Sequence, residues 1–61
     1  MSKQEYQGYL NTKNKILKQI LDIYEFKLDY EKDDLIMIYY DLKPKTLKYL
    51  VYYYNNLLKK L

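Results

Sequence analysis

Apolar residues recur every three or four positions through the first third of the chain: Tyr6, Tyr9, Leu10, Ile16, Leu17, Ile20, Leu21 and Ile23, with lysines and amides between them. That spacing predicts an amphipathic helix over residues 4–23, one face apolar and the other wet. Ser2, followed three residues on by Glu5, offers a capping box at its start. Gly8, Lys13 and Asn14 weaken the first half, so the apolar face is best formed from Ile16 onward.

At Tyr24 the period changes. Tyr24, Phe26, Leu28 and Tyr30 alternate with Glu25, Lys27 and Asp29, and a strand gathers all four apolar residues on one face where a continued helix would scatter them. Residues 31–34 form a polar, turn-like cluster, and an unbroken run of high β-propensity follows: Leu35, Ile36, Met37, Ile38, Tyr39 and Tyr40. The expectation is an antiparallel hairpin. Its second strand is apolar on both faces, as a central strand is, which predicts that Leu35, Ile36, Met37, Ile38, Tyr39 and Tyr40 form the interface of a symmetric homodimer with a four-stranded sheet across it. The alternative is all-α. Leu35, Ile38, Tyr39 and Leu42 also satisfy helical spacing, and the chain then becomes a three-helix bundle with a first helix to about Asp29 and a second from Asp34 to Leu42.

Lys43-Pro44 marks the next boundary, because the residue before proline avoids the helical region and Pro44 suits a first helical turn. From there to Leu61 the chain reads as one helix without an acidic residue. Leu47, Leu50, Val51, Tyr54, Leu57, Leu58 and Leu61 fall on an apolar stripe, and Lys45, Lys48, Tyr49, Tyr52, Tyr53, Asn56, Lys59 and Lys60 project from the other side. The predicted fold is therefore α+β, in the order helix, strand, strand, helix, with residues 1–61 as one small domain.

Size sharpens the case for a partner. A domain of about 60 residues buries only roughly 60% of its unfolded surface and sits near the limit of independent stability. Cysteine is absent, so no disulfide or thiolate metal site can staple it, and histidine is absent too, which removes the commonest general base and metal ligand. Arg and Ala are also missing while Lys, Tyr, Ile, Leu and Asn dominate, a skew that AT-rich codons produce; the ten tyrosines exceed it. This composition suggests a gene from a phage, plasmid or low-GC microbe. No apolar run reaches the roughly 18 to 20 residues that span a bilayer, and the polar start does not resemble a secretion leader, so a cytoplasmic location is expected.

Charge is segregated: residues 1–23 carry +2, residues 24–42 carry −4, and residues 43–61 carry +5. The acidic cluster Glu31, Asp33 and Asp34 lacks the glycine and bidentate carboxylate of a calcium loop and contains Lys32, so no metal is assigned to it. No phosphate-cradling glycine loop or zinc motif occurs, and no pocket-forming length of chain surrounds Asp29, Asp33 or Asp41. Neither an enzyme nor a cofactor is expected. No helix-turn-helix, ribbon-helix-helix or two-helix regulator signature falls at specific positions.

The Lys/Tyr face of the last helix is the candidate partner surface. Tyrosine buries a large area at small entropy cost and lysine steers an acidic partner, which leads to the expectation of a non-enzymatic phage or mobile-element accessory protein that binds and modulates a host or defence protein. The alternative is a small nucleic-acid-binding regulator, with lysines on phosphates and tyrosines stacked on unpaired bases.

Overall fold

The computed structural model describes residues 3–61 and contains three α-helices. These are α1 (Lys3–Phe26), α2 (Lys32–Leu42) and α3 (Leu47–Lys59). Among the described residues there is no strand, so the α+β expectation and the sheet across a dimer are overturned, and the three-helix alternative is the architecture.

The physical reason lies in where the alternating segment falls. Tyr24, Phe26, Leu28 and Tyr30 straddle the end of α1 instead of sharing one face: Tyr24 packs against the core, while Phe26 is 70% exposed. The helix is closed by its own carbonyls, with Ile23 accepting from the Lys27 and Leu28 amides and Tyr24 accepting from Tyr30 at 2.9 Å. Asp29 supplies the left-handed residue that turns the chain back, at φ 55°, a conformation that Asp tolerates better than most side chains. Tyr30 then returns onto Tyr24, ring centroids 4.9 Å apart.

The Leu35 to Tyr40 run forms most of α2. Helical spacing turns Leu42 into the core and leaves Leu35, Ile38 and Tyr39 half-buried, while Ile36, Met37 and Tyr40 stay exposed on the other side. Asp33 and Asp34 occupy the first turn, where negative charge complements the helix dipole.

Pro44 lies in the connection to α3, not in its first turn. Thr46 is the cap: its hydroxyl accepts from the Tyr49 amide at 3.1 Å. The Leu47 amide donates to the Tyr9 hydroxyl at 3.3 Å, fixing the start of α3 to the first half of α1. The capping box at Ser2 lies outside the described residues.

Both α2 and α3 pack chiefly on α1. The molecule measures 39 × 24 × 15 Å, so its thinnest dimension is little more than one helix diameter of about 10 to 12 Å. A slab this thin buries few side chains. Its core consists of Leu17, Ile20, Leu42, Leu50 and Leu57, with Ile20 and Leu50 wholly removed from solvent.

Candidate functional site

Two lines of residues run along α3 beside its buried Leu50 and Leu57. Lys48, Tyr52 and Lys59 fall within about 40° of one another around the helix at 100° per residue, and all three are exposed, Tyr52 at 69%. Lys48 and Lys59 are separated by about 16 Å along the axis at 1.5 Å per residue. Beside this line runs a second one, Tyr49, Tyr53, Asn56 and Lys60, which faces the end of α1.

The second line is built from aromatic contacts. The Lys45 ammonium sits 5.4 Å from the centroid of Tyr49, a cation–π distance. Tyr49 stacks on Tyr53 with centroids 6.2 Å apart and planes 30° from parallel. Tyr53 and Tyr24 share a hydrogen bond between their hydroxyls, and Tyr24 meets Tyr30. One lysine and four tyrosines thus run continuously from the start of α3 to the loop after α1.

Between α1 and α3 this arrangement leaves a half-open cavity of about 140 Å³. Tyr24, Tyr49, Tyr52, Tyr53, Asn56, Leu57 and Lys60 line it. The Asn56 amide donates to the Tyr52 carbonyl at 2.8 Å, within its own helix. Burial, then the hydrogen bond with Tyr24, then the neighbouring tyrosine hydroxyls hold the Tyr53 phenol far above the usual tyrosine range, so it stays neutral.

The eight residues assigned to the partner face divide accordingly. Tyr49, Tyr52, Tyr53, Asn56 and Lys60 converge on the cavity, Lys45 reaches it through the Tyr49 ring, and Lys48 and Lys59 stand on the exposed line beside it. Tyr53 departs from the assignment, being half-buried and packed against the core. The apolar stripe shifts in compensation, leaving Val51, Leu58 and Leu61 exposed. Tyr24 lines the cavity and Tyr30 packs on the Tyr24 ring, and no periodicity in the sequence links either to a helix beginning some 20 positions later.

The segment expected at a dimer sheet presents a different surface. Ile36, Met37 and Tyr40 project from α2, with Met37 71% exposed. On one side lies a groove of about 430 Å³ lined by Leu21, Lys32, Leu35, Ile36, Tyr39 and Tyr40. On the other lies one of about 300 Å³, between Tyr30, Asp34, Met37, Ile38 and Asp41.

Among the described residues, no three His, Cys, Asp or Glu side chains converge in a way that could hold a metal ion, and no helix is long and apolar enough to cross a membrane. Comparison with protein-family models, with curated proteins and with solved structures finds no match for the chain.

Proposed function

We propose that the protein binds nucleic acid through α3. The observation that carries this reading is the composition of the exposed face: Lys45, Lys48, Lys59 and Lys60 surround Tyr49 and Tyr52, and residues 43–61 contain no Asp or Glu to repel a phosphate. The span from Lys48 to Lys59, about 16 Å, equals roughly five nucleotide steps at 3.4 Å per step. Lysine contacts of this kind supply affinity without sequence selectivity, and the missing arginine removes the commonest base-specific contact. The role supported is therefore that of a small accessory binder, not a sequence-reading switch. Binding of a random-sequence oligonucleotide at rising salt is the test; a complex that forms at low salt and weakens steeply supports it, and the lack of any complex at low salt rejects it.

A protein partner is the second reading, and a separate observation favours it. Ile36, Met37 and Tyr40 form an apolar ridge on α2 that the described residues leave exposed. Aromatic and methionine side chains are enriched at the centres of protein interfaces, and a second copy of this chain is the simplest occupant. A phage or mobile-element protein acting in the cytoplasm on a host factor fits this surface as it fits the composition.

A further inference from the structure

We infer that the nucleic acid bound by α3 is single-stranded and that one unstacked base enters the cavity between Tyr24, Tyr49, Tyr52 and Tyr53. This rests on the reading above and names the class of ligand and the place where it is held. At about 140 Å³ the cavity is well below the roughly 300 to 1,000 Å³ of pockets that hold drug-sized ligands and cofactors. It has room for one flat ring system. Its walls suit such a group, since Tyr49 and Tyr53 are close to parallel and Tyr52 forms an exposed lip. The π-face of a base stacks on rings of this kind whatever its identity.

The polar groups fit as well. Asn56 commits one amide hydrogen to the Tyr52 carbonyl, leaving a second donor and its carbonyl oxygen for the edge of a base, a pair of functions that every nucleobase can meet in part. The Tyr53 hydroxyl is held neutral, so it puts no negative charge beside the incoming strand. Lys60 lines the cavity, and the Lys45 ammonium lies over the ring of Tyr49, another of its lining residues. Cations therefore flank the position where the base enters, and the phosphates on either side of that base can reach them.

A duplex fits this site poorly. Its bases are paired and stacked, and the cost of extracting one is least for a strand already single. The exposed line Lys48, Tyr52 and Lys59 then tracks the backbone next to the inserted base.

The test uses the full chain and fluorescence anisotropy with three probes of about 12 nucleotides, a length that one small fold covers: labelled oligothymidine, a hairpin duplex of equal phosphate number, and an abasic strand that keeps the phosphates and lacks the bases. The inference predicts that the abasic strand binds roughly 5- to 150-fold more weakly than oligothymidine, the range that loss of one stacked base represents. Tyr52→Ala should cause a comparable loss without changing the salt dependence, and the duplex should bind more weakly than oligothymidine. Equal binding of all three probes, with ordinary salt dependence, overturns the base-insertion inference and leaves the nucleic-acid reading standing. Failure of every probe to bind at low salt overturns both. The abasic comparison is made on the unaltered protein, so misfolding of a variant cannot obscure it.

Discussion

Replacing Leu50 by alanine probes the architecture most sharply. Leu50 and Ile20 are the two side chains wholly removed from solvent, within a core of five. Truncating a buried leucine costs about 2 to 5 kcal/mol, the larger values arising where the surrounding structure cannot close over the cavity. Here α3 packs chiefly on α1 and can settle toward it, which places the expected loss in the lower half of that range. Even so, a chain of this size has about 3 to 9 kcal/mol in all, at 0.05 to 0.15 kcal/mol per residue. Leu50→Ala should therefore remove roughly a fifth or more of the stability. Two positions on, Tyr52 is 69% exposed, and Tyr52→Ala should change stability by no more than about 0.5 kcal/mol, as exposed sites do. Urea denaturation followed by helical circular dichroism reads both. A Leu50→Ala loss below about 1 kcal/mol, or a Tyr52→Ala loss that matches it, would show that α3 is rotated from the orientation described.

Three further outcomes are expected. Gly8→Ala should raise stability by about 0.5 to 1 kcal/mol, because Gly8 lies inside α1 and a Cβ there meets nothing within 4 Å; a loss in urea denaturation would contradict the open surface assigned to it. The Tyr53 phenol is raised in the folded state, so its contribution is fully present below the unfolded tyrosine pKa of about 10 and is lost as pH climbs beyond it; Tyr53→Phe should flatten this alkaline decline, and an unchanged pH profile would remove Tyr53 as its source. Met37→Glu combined with Tyr40→Glu should keep the helical signal, since both side chains are exposed, while weakening any self-association seen by sedimentation equilibrium; a wild-type chain that is monomeric at every concentration would rule out a second copy as the occupant of the α2 ridge.

The sequence is most legible where amphipathic spacing is long and unambiguous. From Ile16 through Ile20, and again at Leu50 and Leu57, three-and-four spacing places in the core the residues the structure buries. In the middle of the chain both sequence cues favour a strand where the structure is helical. Alternation from Tyr24 to Tyr30 spans a helix end and a left-handed turn at Asp29, so it describes a change of direction and not a face. The run from Leu35 to Tyr40 is apolar at every position, and periodicity cannot assign such a run; packing does, by drawing Leu35, Ile38, Tyr39 and Leu42 toward α1.

At the site, the lysines and tyrosines of α3 were readable because one helix carries them. The cavity was not, because it depends on Tyr24 meeting Tyr53 across 29 positions. The rotation that brings Tyr53 inward and exposes Val51, Leu58 and Leu61 follows from α3 packing chiefly against α1. Where that neighbour lies is a tertiary fact, and spacing within α3 alone does not contain it.

Salt dependence tests the central claim, that α3 grips phosphates. If Lys45, Lys48, Lys59 and Lys60 each neutralise one phosphate, the logarithm of the binding constant should fall against the logarithm of salt concentration with a slope of about −2.8 to −3.6, from 0.7 to 0.9 per contact. Affinity then drops roughly 50- to 150-fold between about 50 and 200 mM salt. Replacing Lys45, Lys48 and Lys59 together by glutamine should reduce the slope to about −0.7 to −0.9, that of the one remaining contact, while leaving the fold intact because all three are exposed. A slope that the triple replacement leaves unchanged would contradict the account and place the nucleic acid elsewhere on the molecule.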